Sequence, residues 1–167
     1  MRRFGDARRA DIHYTRRPGA YGVILRGDQA LLALNESPGE EFALPGGGID
    51  PGESPVQALH REAMEETGHR IQVLRRVGAY QRFTYMSEYE LWAQKICHIY
   101  LCRAGRCVSA PSEPDHTPWW VPAGSGADLL RVAGGRAMVW RGGTVVGGGA
   151  RGVRAARRGA DAGGRAG

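Results

Sequence analysis

Three glutamates, Glu62, Glu65 and Glu66, stand at i, i+3 and i+4 within Arg61-Glu62-Ala63-Met64-Glu65-Glu66. On a helix that spacing puts their carboxylates on one face, where like charges destabilise the helix unless a cation or water compensates them. Clustered carboxylates suit hard divalent ions, and Mg2+ in particular bridges protein carboxylates and substrate phosphates. Arg61 adjoins Glu62 and is placed to orient it or to neutralise part of the field. A second element, the loop Gly46-Gly47-Gly48, permits close backbone approach to a ligand and leaves carbonyls free to reach a metal. It lacks the Lys-Ser/Thr of a phosphate-cradling P-loop. Each element alone is weak, because acidic helix faces are usually just solvated. Together, at fixed spacing, they are specific.

The helix that must carry these acids is the best-marked element of the chain. Ser54 can cap it, Pro55 takes the first helical position, and Gln57 completes an S-x-x-Q capping box. Val56, Leu59 and Ala63 form one apolar stripe, and Gly68 supplies the stop, so the helix is expected over 55–67. Upstream, Ala20 to Leu25 and Ala30 to Leu34 read as a hairpin turning at Gly27-Asp28. Phe42-Ala43-Leu44 reads as a brief strand leading into the glycines. Downstream, Ile71 to Val77, Ala79 to Tyr85 and Trp92 to Cys102 have strand composition. Residues 103–118 read as loop, Trp119-Trp120-Val121-Pro122 restores apolar weight, and Ala127 to Val132 reads as a second helix capped by Ser125.

Gly47, five residues, Glu53, seven residues, then Arg61-Glu62-Ala63-x-Glu65-Glu66-x-Gly68 resembles the Nudix box, Gx5Ex7REUxEExGU, where U is a bulky aliphatic residue. Every fixed charged or glycine position after Gly47 matches. The final U position is His69, which departs from the pattern and is expected to loosen packing at the helix exit. The resemblance implies an α/β fold, a Nudix-like α/β/α sandwich with a mixed sheet and a catalytic loop–helix–loop. It implies an enzyme that hydrolyses the pyrophosphate linkage of a nucleoside diphosphate joined to another moiety. By position in the box, Glu62, Glu65 and Glu66 would hold Mg2+ or Mn2+, the Gly46 carbonyl would add a ligand, Glu53 would assist, and Arg61 would orient Glu62. The general base varies in this family, and Glu88, Glu90, Glu113 and Asp115 are the candidates outside the box.

Specificity lies outside the box. The proline that marks ADP-ribose hydrolases about sixteen residues past it is absent, since Thr84, Tyr85 and Met86 stand there. Tyr85 lies near the tyrosine of dinucleoside-polyphosphate hydrolases, and Tyr80, Phe83, Tyr85 and Trp92 either stack on a base or fill the sheet core. Gly47, Gly48, Tyr85 and His116 are the substrate-contact candidates. Two alternatives compete with the hydrolase: a non-catalytic nucleotide sensor, and an RNA-associated hydrolase using basic arms. Retention of Glu53, Glu62, Glu65 and Glu66 argues against the sensor.

The chain has 167 residues, 42% of them apolar, which excludes global disorder. Its formal net charge is +6, the obvious invitation to guess nucleic acid. That charge divides unevenly. Residues 1–17 carry +4 and residues 141–167 carry +5, leaving −3 on 18–140. The expected organisation is a basic flexible arm over 1–17, the Nudix-like domain over 18–140, and a disordered Gly/Arg/Ala-rich tail over 141–167. The domain's partner is expected to be a nucleotide-type small molecule rather than nucleic acid or membrane, with monomer and homodimer both open. Cys97, Cys102 and Cys107 lack zinc-ligand spacing and no secretory signal is apparent, so reduced thiols in the cytoplasm are expected.

Overall fold

The computed structural model describes residues 1–36 and 39–143. Eight strands make one mixed sheet: β1 (Arg2–Arg3), β2 (Thr15–Arg26), β3 (Gln29–Asn35), β4 (Glu41–Ala43), β5 (Gly46–Gly48), β6 (His69–Met86), β7 (Leu91–Cys107) and β8 (His116–Pro122). Three α-helices accompany them: α1 (Pro55–Thr67), α2 (Ala123–Leu129) and α3 (Ala133–Gly143). The strand order is β1-β6-β7-β2-β3-β4, with β5 added to β2 and β8 to β3. β2–β7 and β1–β6 are parallel, and the remaining pairings are antiparallel.

Alternation along β2 divides the core between two faces. Ala20 and Ile24 pack with Leu31, Ala58, Leu59 and Ala63, which covers one side with α1. Val23 and Leu25 face the other way, against Leu32, Ala127, Leu130 and Met138 from the side of α2 and α3. The α/β/α sandwich expected from the box is therefore present. The β2–β3 hairpin turns where expected, with Arg26 opposite Gln29 and Gly27 at φ +60°. Among the described residues no helix is long and apolar enough to cross a membrane.

Local signals in α1 agree with its length. Ser54 Oγ accepts from Gln57 N–H at 3.2 Å while Gln57 Oε1 accepts from Ser54 N–H at 2.8 Å. Gly68 closes the helix at φ +69° with its N–H on Met64 O. The stripe differs from expectation: Val56 is exposed, and the buried face comprises Ala58, Leu59, Glu62, Ala63, Glu66 and Thr67.

Four other expectations are corrected. Residues 1–17 do not all form a flexible arm: Arg2–Arg3 pair with Tyr80 and Gln81, Phe4 meets the Tyr80 ring edge-on at 5.5 Å, and β2 already begins at Thr15. The glycine segment is not a free loop but a strand, Gly46–Gly48, paired with β2. Residues 103–118 are partly strand, because β7 runs to Cys107 on its pairing with β6 and β8 starts at His116 on β3. The helix expected over 127–132 is replaced by α2 and α3, broken at Leu130, whose extended backbone bridges to Phe42. The tail expected over 141–167 lies outside the described residues from 144 onward.

His69 does not loosen the helix exit. It is buried at the start of β6, with Nδ1 2.8 Å from Thr67 O and its ring edge-on to Trp120 at 5.6 Å. An imidazole fills the aliphatic position because its polar edge has a backbone partner and its ring an aromatic neighbour. Cys97 and Cys102 are buried and Cys107 exposed, all three free.

Candidate metal centre and active site

The helical register that buries Leu59 and Ala63 also turns Glu62 and Glu66 inward, leaving them only 9% and 7% exposed. Glu65, between them, is half-buried. Ionised carboxylates at such positions need fixed donors or cations. The neighbouring strand supplies one: Gly46 N–H donates to Glu66 Oε2 at 2.9 Å. At Gly47 a Cβ would come within 2.5 Å of Glu62 Oε1, so the absence of a side chain is what lets β5 close on that carboxylate.

Arg61 supplies the cation. Its Nε and Nη2 donate to the two oxygens of Glu53 at 2.8 and 2.9 Å, and its Nη1 reaches Glu62 Oε1 at 2.9 Å and Glu65 Oε2 at 3.2 Å. Nη2 also donates to Gly48 O at 3.0 Å. One guanidinium thus ties the loop before α1 to the helix. Glu53 is tied to Arg61 and lies outside the carboxylate groupings found among the described residues.

The third side of the site comes from the segment between β7 and β8. Ser112 and Glu113 N–H both donate to Glu65 O, at 2.8 and 3.2 Å, which docks this segment on the end of α1. Glu113 Oε2 then lies 2.9 Å from His116 Nδ1, and His116 Nε2 lies 3.5 Å from Glu66 Oε1. Among the described residues, two groups have ligand atoms within 4.8 Å of one another: Glu66, Glu113 and His116, and Glu62, Glu65 and Glu113.

The electrostatics follow from this crowding. Burial pushes the Glu66 carboxyl up to about 8, with Glu62, Glu113 and Glu65 adding to the rise and the Gly46 N–H opposing it. Burial also raises Glu62, against the pull of Arg61. Glu53 moves the other way, down to about 2, because it accepts hydrogen bonds from Arg61 and from the Asp50 backbone. Four carboxylates and an imidazole therefore form two adjoining groups that share Glu113, with one guanidinium bound to Glu62 and Glu65. Oxygen donors in that density fit a hard divalent cation.

A pocket opens beside Glu66. Gly46, Gly47, Glu66 and His116 form one end of it, and Tyr21, Phe42, Tyr80, Arg82 and Lys95 line the rest. Gly47 and His116, expected as substrate contacts, both line this pocket. Gly48 does not: it is absent from that lining, and its carbonyl accepts from Arg61 Nη2. Tyr85 is also corrected: it is 49% exposed, tilted against Trp92 at 5.3 Å, and away from the pocket lining. Of the four loop acids, only Glu113 joins the carboxylates; Glu88 and Glu90 lie at the β6–β7 turn. Sequence reasoning missed Arg82, Lys95 and Tyr21, whose membership depends on strand pairing. For Glu113 the available signal was its place three residues before His116.

The NUDIX domain model matches residues 15–138. A CMP-5'-(N-acetyl-N-hydroxy-3-aminopropyl)phosphonate hydrolase of Streptomyces rubellomurinus is 32% identical over 126 residues, covering 71% of this chain and 58% of that protein. An RNA pyrophosphohydrolase of Helicobacter pylori is 35% identical over 69 residues, 38% of this chain and 44% of that one. The chain spans about half the length of the curated relatives it matches. Among solved structures, a NUDIX hydrolase from Nitrosomonas europaea superposes with a TM-score of 0.64 at 18% identity, over 78% of this chain and 90% of that one.

Proposed function

The chain belongs to the Nudix family, and from that premise we propose that it hydrolyses the pyrophosphate linkage of a nucleoside diphosphate joined to another moiety, with Mg2+ or Mn2+ as cofactor. The observation that carries this reading is the convergence of Glu62, Glu65, Glu66 and Glu113 beside a pocket that Gly47 and His116 line. The named relatives act on nucleotide-type anhydrides, which supports the substrate class.

Glu62, Glu65 and Glu66 would hold the metal, with the Gly46 carbonyl as a further ligand. A divalent ion there would neutralise pyrophosphate charge and acidify a bound water. The chain's own contributions are positional. Arg61 fixes the separation between Glu62 and Glu65, and Glu53 fixes Arg61. The Gly46 N–H fixes Glu66. Glu113 would take the proton of the attacking water, with His116 Nδ1 2.9 Å from its carboxylate. His116 and Gly47, in the pocket lining, would contact the substrate. A cytoplasmic location and a small-molecule partner complete the proposal.

The test is a panel of NDP-X compounds assayed for nucleotide or phosphate release with Mg2+ and with Mn2+, alongside EDTA controls. Metal-dependent release of a nucleoside monophosphate is expected. Folded protein inactive on every compound would favour the alternative, a non-catalytic sensor.

A further inference from the structure

Arg82 and Lys95 are direct partners across the antiparallel β6–β7 pairing. Side chains so paired leave the same face with their Cβ atoms roughly 4.5–5.5 Å apart, and like charges there destabilise a sheet. Both are half-buried, and both line the pocket that ends at Glu66. Among the described residues neither has a salt-bridge partner.

Among the described residues no acid pairs directly with either cation. Glu41, the other acid in the pocket lining, is engaged by Arg131 at 3.1 Å. Arg17 is the register partner of Lys95 on β2, which adds a third cation to the row, and its guanidinium is stacked over Tyr89 at 4.6 Å. Burial first, and then Arg82, push the Lys95 ammonium down, with Arg17 adding to the fall and Cys97 and Glu88 opposing it. The next pair deeper along the same face is Tyr80 opposite Cys97, both buried. Two cations without a salt-bridge partner among the described residues thus sit on this wall, opposite in charge to the carboxylates of the same pocket.

We infer that this wall is an anion site: the substrate moiety entering the pocket carries its own phosphate, phosphonate or carboxylate, in addition to the scissile pyrophosphate, and Arg82 and Lys95 bind it. The inference rests on the proposed hydrolase and narrows its substrate class. The anion supplies the charge that the β6–β7 pair lacks, so binding and sheet stability are coupled. Arg82 can engage two oxygens in one plane, and Lys95 acts as a point charge.

The anion site has a readout that needs no catalysis. Full-chain protein held in EDTA is titrated with inorganic phosphate at constant ionic strength against chloride, and Tm is followed. Wild type is expected to rise by roughly 3 °C or more. Lys95→Met and Arg82→Gln are expected to start at a higher Tm, because the cross-strand repulsion is gone, and to lose the rise. With Mg2+, two substrate pairs then separate carboxylate from phosphate: UDP-glucuronate against UDP-glucose, and coenzyme A against dephospho-coenzyme A. Wild type is expected to favour the member with the additional anion in at least one pair. Each variant is expected to raise KM for that member at least tenfold and for the member lacking it much less. Variants that keep the phosphate-induced rise, or a wild type that hydrolyses both members of each pair equally well, would overturn the inference. A wild type that hydrolyses neither these four nor any compound of the NDP-X panel, while its phosphate response vanishes in the variants, would overturn the hydrolase reading and leave the anion site standing.

Discussion

Gly46 N–H donates to Glu66 Oε2 at 2.9 Å, joining two residues twenty apart in sequence and placing a backbone dipole on a carboxylate that is 7% exposed. The bond exists because Gly46 adopts φ +138° on β5, where a Cβ would strike the Ala20 carbonyl of β2. Glycine at this position therefore serves the sheet and the carboxylate together.

Glu66 makes metal-free stability depend on pH. Its folded carboxyl is raised to about 8 from 4.5. The folded state holds the proton between those values, so the contribution to stability is complete below 4.5 and is lost as pH rises through 8. In EDTA, Tm should fall across this window, and Mg2+ should restore it at the upper end. Glu66→Gln should flatten the dependence and abolish metal-dependent hydrolysis while leaving the circular dichroism spectrum unchanged. Thermal melts at a series of pH values, with and without Mg2+, decide this.

Adjacent glycines should respond differently to alanine. Gly47→Ala puts a methyl against Glu62, whereas Gly48→Ala meets nothing within 4 Å. The first should cost at least ~10-fold in kcat/KM and weaken Mn2+ binding, as expected when a positioned group is displaced. The second should change either by less than about twofold on the same reasoning. Steady-state kinetics with a Mn2+ titration compares the two.

Arg61→Gln should leave Glu53, Glu62 and Glu65 without their shared cation. Loss of about 1–3 kcal/mol is expected in EDTA, because these are charge-assisted and partly buried bonds. Saturating Mg2+ should recover part of it by replacing the missing positive charge. Urea melts under both conditions measure the difference.

Glu113→Gln separates proton transfer from metal holding. A fall of ~10²–10⁴ in kcat is expected for loss of a general base, with KM and Mn2+ affinity changing far less. An equal loss of Mn2+ affinity, read by electron paramagnetic resonance, would instead make Glu113 a metal ligand.

Much of the site is legible in the chain because its decisive contacts are local. Arg61 meets Glu62 and Glu65 within one helical turn, and Glu53 lies eight residues before it. The capping box and Gly68 likewise set α1 by short-range hydrogen bonds. Val56 misled because periodicity identifies a stripe without saying which side the sheet will cover. Tyr85 misled because proximity in sequence to an aromatic position says nothing of which pocket a strand side chain faces.

The sequence by itself determined the family, the helix and the acids it carries, since fixed spacings on one helix translate directly into geometry. Tertiary structure alone decided that Glu62 and Glu66 are buried and that Glu113 and His116 reach them. It also set Arg82 opposite Lys95 in the pocket wall. Those relationships are made by strand register and loop docking between residues as far apart as Gln29 and Pro122. They depend on which pairing of the whole sheet buries the apolar faces, and no local window of the chain contains that choice.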